Sequence, residues 1–539
     1  MGFLQSILKQ SPFRGTMPAG RVPLFARGRP SLPFPHPWNY HQPIRILDSF
    51  FWRADEVSGP ARHTRYLDVP GFDPILVTRD PRLIRAISTI TSDQPGHFDR
   101  DTLPSSGIAR ATGQDTLLYS NGASWKHQKK IATPPFARTT LFQPERFHDF
   151  ESLFRHTVAQ RLEVMQRRLQ EQSSSAAPPN TAALDVELEP EIKALMLEML
   201  VNCFFGAQIS YDEIYDRYVP ALDRVIAHIV RDTVLTNVGV PLHRLPAFTS
   251  GLKKDQQAKL IFEELTDRVI AQRSACTGLW GHFKSDASDD ALRGNIRVFL
   301  AGALEATTSY ASWAIAHLAR HPHIQSRLYA EIHSINEYSP EVLARCTVLN
   351  SVLDETLRLT PSLYFHPRRA TAETQIDLGP LPGTTEPQTF IIPKGTHILL
   401  DVWHANRHED HWGVTKTGYR ADEFHPERSE KLATQDRGDF LHFGFGHGPR
   451  FCPGKNLGQL EVALVVGACV KLFEFESLTN SIVPRAGVST KPLDGVRVNL
   501  RPRVMNAAPI QTASEPGNSV SAASSPATRC PFGFGGKSQ

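Results

Sequence analysis

The sequence predicts a mostly α-helical fold with a small β portion, class α+β. Three observations carry this. Asp289 to Arg320 keeps a helical pattern over about 48 Å at 1.5 Å per residue, and His321-Pro322 ends it. Leu457 to Leu472 has the apolar density of a buried helix. Strand-like alternation is confined to a short piece, near residues 65–80.

Composition narrows the class. The chain has 539 residues, 40% hydrophobic and 21% charged, which suits a soluble globular enzyme with a substantial core. A net charge of +4 is small for this length and gives no sign of nucleic-acid binding. The cysteines, at 203, 276, 346, 452, 469 and 530, lie far apart with no C-x-x-C. That indicates neither a disulfide framework nor a zinc ribbon and points to a reducing, cytoplasmic setting. No N-terminal apolar run is long enough for a membrane span or signal peptide, although M-G-x-x-x-S formally fits a myristoylation signal at Gly2.

In chain order, residues 1–43 form a Pro- and Arg-rich leader, expected to be irregular. R-Y-L-D-V-P-G-F-D-P-I-L-V-T-R-D reads as a β-hairpin running into a helix start. Residues 97–121 lack a period and read as a loop. Trp125 and Lys129 are four apart and share a helix face. Helices are expected at 147–172, 192–205 and 211–231, with a surface linker after 172 and a mixed loop over 233–251. In the long helix, A-G-A-L-E-A-T-T-S places small residues around a lone acid, Glu305, followed by Thr307 and Thr308. The helix 348–359 carries Glu355 and Arg358 on one face. His404 and His408 have i, i+4 metal spacing, but no general-base Glu is placed as in H-E-x-x-H, so no metal is expected there. Beyond about Arg503 an Ala/Ser/Pro/Gly composition predicts a disordered tail, residues 504–539, with Cys530 near its end.

The stretch F-G-F-G-H-G-P-R-F-C-P-G, 443–454, organises the rest. Its glycines let the backbone approach something flat. Cys452 stands at the mouth of the 457–472 helix, where the N-terminal dipole and free N–H groups favour a thiolate. Haem iron uses one such Cys alone; zinc or an iron–sulfur cluster needs several.

Phe445, Gly448, Arg450, Cys452 and Gly454 resemble the haem-binding loop F-x-x-G-x-R-x-C-x-G of the cytochrome P450 superfamily. E-T-L-R at 355–358 and F-H-P-E-R at 424–428 resemble the family's E-x-x-R and F-x-P-E-R, whose second Arg completes a buried triad. The resemblance spans about 44–503 and implies a single helical prism with a small β-rich lobe, in a soluble form without membrane anchor or fused reductase. It implies haem b (iron protoporphyrin IX) with Cys452 as its ligand. Trp125, Lys129, Phe445, Arg450 and Arg368 are then cofactor contacts, with Arg369 as runner-up for Arg368. It implies Glu305 and Thr307 as proton-delivering residues. Here Ala306 stands where the family carries an alcohol, which leaves Thr307, water or a substrate hydroxyl to complete the relay. The implied reaction inserts one atom of O2 into a lipophilic small molecule. Electrons come from a separate donor, a ferredoxin, flavodoxin or reductase, docking near Lys126, Lys130 and Lys455. Alternatives are a haem-thiolate isomerase, dehydratase or peroxide user, or a non-enzymatic haem sensor.

Overall fold

The computed structural model describes residues 11–22, 25–26, 29–30, 44, 47–52, 63–68, 73–90, 98–101, 107–113, 115–173, 184–237, 250–272, 289–380, 385–429, 442–479 and 482–503. The Gly2 signal, most of the leader, and the tail with Cys530 lie outside the described residues. Helices predominate, and the strands are short.

The largest sheet has six strands, in the order Gly20–Arg21, Thr64–Leu67, Ile75–Thr78, His397–Leu400, His366–Ala370 and Phe98–Arg100. Thr64–Leu67 and Ile75–Thr78 form the expected hairpin, with Thr64 opposite Thr78. Asp80 then caps the helix Pro81–Thr89 by accepting from the Arg82 N–H at 2.9 Å. Inside the leader, Phe13 and Met17 are buried, and Gly20–Arg21 joins the sheet. The supposed loop 97–121 holds the edge strand Phe98–Arg100 and the helix Gly107–Thr112. Both are too short for a periodic signal; the strand exists because it pairs with His366–Ala370.

The helical body is built around Lys455–Leu472, which is apolar on all sides and correspondingly buried: Leu460, Val462, Ala463, Val465 and Val466 are each 1% exposed or less. It packs against the helix Pro144–Ser173 and against the long helix. The long helix is not one uniform rod. It runs as α-helix over Asp289–Val298, widens to a π turn over Phe299–Ala303, and resumes as Leu304–Arg320. A π turn carries more residues than an α turn, so it resets which residues share a face on either side. Similar π turns interrupt the helices ending at Phe204 and starting at Tyr211. The helix Val219–Asn237 extends into the predicted mixed loop.

A C-terminal hairpin with its tip at 487–489 has the arms Pro484–Ala486 and Thr490–Pro492. Arg497–Pro502 belongs to another sheet, between Phe473–Ser477 and Leu184–Glu187. Among the described residues, no helix is long and apolar enough to cross a membrane.

Candidate functional site

The Cys452 loop is fixed through its backbone. The Cys452 N–H donates to the Phe445 carbonyl at 2.9 Å, and Gly446 N–H to the Phe443 carbonyl at 2.9 Å. Gly448 adopts φ +70°, and a Cβ there would collide with the Ser88 carbonyl, so only glycine fits. Phe445 packs edge-on to Tyr310 of the long helix, ring centres 6.3 Å apart, with Lys455 over its face at 6.0 Å. The helix Lys455–Leu472 begins immediately beyond, as expected.

Cys452 keeps exposed surface, yet protein atoms crowd around it. Burial raises its thiol above the ordinary value, against the pull of the Gly454 N–H and Lys455. On the long helix, Gly302 is exposed although Ala301 and Leu304 are buried, and an added Cβ at Gly302 would meet nothing within 4 Å. Open space thus lies beside the small-residue stretch. Thr307 faces the start of the Cys452 helix, its methyl group 3.6 Å from where a Gly458 Cβ would stand.

A second feature adjoins the loop. Arg368 and Arg100 are directly opposite each other on paired strands. Arg368 and Arg450 line one small cleft with Trp125 and Asn121. Arg450 donates to the Ser120 carbonyl and to Asn121 Oδ1 at 3.0 Å, and its guanidinium lies 4.6 Å over the Trp125 ring. Arg368 makes only a 2.9 Å bond to the carbonyl of Pro367, and Arg100 Nε has no hydrogen-bond partner among the described residues. Burial, then Arg100 and Arg450, pushes Arg368 well below its ordinary value; burial and Arg100 bring Arg450 down to about 9. His366, beside them, is lowered to about 3 by burial and the same arginines. Asp99 is the nearby carboxylate that partly offsets Arg450. Like charges directly opposite on paired strands are destabilising. This set is therefore built for an anion with several oxygens.

The other expected residues fall into place unevenly. Trp125 is buried, and Lys129 stands 5.2 Å over its ring, donating to the Pro449 carbonyl at 3.1 Å. Lys129 thus braces the loop's backbone. Arg369 turns outward to Asp73 at 3.0 Å, which leaves Arg368 in the cleft. Glu355, Arg358 and Arg428 meet as a buried triad, each 1% exposed or less: Arg358 binds Glu355 at 2.7 and 2.8 Å, and Arg428 Nε lies 3.2 Å from it.

Glu305 has partners that the sequence reading did not include. Its carboxylate is held by Lys193 at 2.6 Å, Lys491 at 3.1 Å and the Ser489 hydroxyl at 2.9 Å. Burial would raise its pKa, but the two lysines hold it well below the carboxylate range. Thr307 donates its hydroxyl to the Ala303 carbonyl at 2.9 Å. Sequence reasoning missed Arg100, Lys193, Ser489 and Lys491, which reach the site only through strand pairing and tertiary packing.

Residues 281–493 match the cytochrome P450 family model. The chain belongs to the cytochrome P450 superfamily. Curated relatives agree. Cytochrome P450 52A6 of Candida tropicalis is 34% identical over 33% of this chain and 34% of that protein. A cytokinin hydroxylase of Arabidopsis thaliana is 25% identical over 81% of each chain. Cytochrome P450 4F8 of Homo sapiens is 24% identical over 76% of this chain and 78% of its own length. As a P450, the protein is an oxygen-incorporating oxidoreductase of the haem-thiolate class.

Proposed function

We infer that this P450 inserts one oxygen atom from O2 into a lipophilic small molecule, using haem b held by Cys452 and electrons from a separate donor protein. The observation that carries this reading is the guanidinium cluster, only partly offset by Asp99, beside an exposed cysteine. Two carboxylates in the cleft would answer Arg100, Arg368 and Arg450 together, and haem b carries two carboxylates on one edge. The donor set therefore fits. Arg368 and Arg450 would bind them, the Trp125 indole would close the cleft, and Phe445 would help hold the group beside Cys452.

When bound, a thiolate-ligated haem supplies dioxygen activation, the thiolate pushing electron density toward iron. The chain supplies the rest. Gly302, Ala303 and Ala306 keep one side clear of bulk. Phe451, 48% exposed, and Lys126 and Lys130, also exposed, present an apolar and basic face where an acidic electron donor can dock. Because Glu305 is engaged by lysines and Thr307 by a carbonyl, water or a hydroxyl on the substrate provides the protons at Ala306. That favours an oxygenated lipophile as substrate.

The direct test is the carbon-monoxide spectrum of the reduced protein. The wild type is expected to show the thiolate-type Soret band, and Cys452→Ala or Cys452→His to lose it. A normal thiolate spectrum in Cys452→Ala would overturn the assignment.

A further inference from the structure

Away from the Cys452 region, three potential ligands converge. A ring nitrogen from each of His63 and His408 and a carboxylate oxygen of Asp410 all lie within 4.8 Å of one another. The two rings are 4.2 Å apart, centre to centre. His408 Nδ1 is 3.9 Å from Asp410 Oδ2, beyond hydrogen-bonding distance. The His408 side chain is only 8% exposed, and this buried nitrogen has no hydrogen-bond partner among the described residues. A buried polar nitrogen left unpaired costs its desolvation with no return, so it calls for an explanation.

The backbone holds the ligands in place. The His63 carbonyl accepts from the Arg79 N–H at 2.9 Å, just ahead of the strand Thr64–Leu67. The His408 carbonyl accepts from the Trp412 N–H at 2.8 Å, opening the short helix Glu409–Trp412. The pairing suggested by sequence spacing is not the one that forms. His404 has both ring nitrogens occupied, by Asp401 and Asp48 at 2.7 Å each. His408 turns instead to His63, remote in sequence.

We propose that His63, His408 and Asp410 bind one divalent transition-metal ion, zinc by preference, with water completing a four-coordinate shell. Two imidazoles and one carboxylate form a nitrogen and oxygen set suited to Zn²⁺, whereas calcium and magnesium take oxygen alone. Zinc bonds of about 2.0–2.1 Å would draw the ligand atoms closer than they stand. Asp410, 83% exposed, is free to move inward and leaves the remaining position to solvent. The ion would staple the N-terminal hairpin to the segment following His397–Leu400. It is a structural site, separate from the Cys452 chemistry.

The test uses the full-length, haem-loaded protein stripped with a chelator and titrated calorimetrically with zinc chloride. One saturable site of micromolar affinity or tighter is expected. Zinc-edge X-ray absorption of the one-to-one complex should show a nitrogen and oxygen shell with imidazole scattering. The melting temperature should climb with the logarithm of zinc concentration. Asp410→Asn, on an exposed side chain and so safe for folding, should weaken binding at least tenfold, and His408→Gln should abolish it. Absence of saturable binding, a sulfur-containing shell, or affinity unchanged in Asp410→Asn would overturn the proposal.

Discussion

Glu305→Gln tests the reassignment of the acid in the long helix. The substitution keeps shape and one acceptor oxygen but removes the charge that Lys193 and Lys491 share. Their side chains are 3% and 8% exposed, so little solvent replaces it. Removing one partner of a buried ion pair costs about 3–5 kcal/mol. Lys193 keeps Asp223, and Lys491 keeps Glu189 at 3.4 Å, so the lower end, about 3 kcal/mol, is expected. Urea unfolding of the ferric protein, followed by the Soret band and circular dichroism, should show the midpoint fall accordingly. Adding Lys193→Met should recover part of the loss, since contacting residues couple by about 0.5–3 kcal/mol. Glu305 is depressed in the folded state. Its contribution is therefore present above the ordinary carboxylate range and is lost only in strong acid. Product formed per electron consumed should change little. If instead stability is unaltered and coupled turnover falls by about 10²-fold or more, Glu305 is a general acid and the structural reading fails.

Arg368→Leu should slightly stabilise the haem-free protein by relieving repulsion across the strands, yet speed haem loss roughly tenfold or more, since a hydrogen bond to a charged group is worth about 1.5–3 kcal/mol. Haem transfer to an acceptor protein measures this, and an unchanged rate would remove Arg368 from the cleft's function. Reversing Lys126, Lys130 and Lys455 to Glu should slow reduction by an acidic ferredoxin, most at low salt, without altering substrate binding; equal rates would count against this face. His404 is lowered by burial but raised more by Asp401 and Asp48, to about 9. Being raised above its unfolded value, it contributes fully below about pH 6.5 and loses that contribution as pH climbs through about 9, on the order of 3 kcal/mol at most. His404→Gln should flatten the stability difference between pH 6 and pH 10, and an unchanged slope would refute the pairing.

What the sequence revealed followed from local patterns. The 455–472 helix, the hairpin before Asp80 and the Cys452 loop are each encoded within one short window. The triad was legible because two of its members share a helix face. Arg100 was not, because its meaning depends on the register between strands far apart in sequence. Glu305 was visible as an acid among apolar residues, but its lysines come from a distant helix and from the last hairpin, so these partners could not be read from the local pattern. The π turn before it also escaped notice, since helical periodicity averages over one extra residue. His404 and His408 show the same limit: regular spacing marked a pair, and tertiary packing chose different partners for both.

The buried triad has a consequence for how this protein can vary. Arg358 donates to the carbonyls of Asn406, Ala421 and Glu423, and Arg428 to those of Trp412 and Arg420. Two guanidiniums therefore do for this irregular stretch what a ladder of amides does for a strand. The two arginines hold the stretch mainly through its main chain, with the Thr417 hydroxyl as the side chain that Arg428 meets. Residue identity at its exposed positions is free to drift, while an inserted or deleted residue would pull several oxygens out of register at once. Length, more than composition, is what natural variation should preserve between 406 and 428.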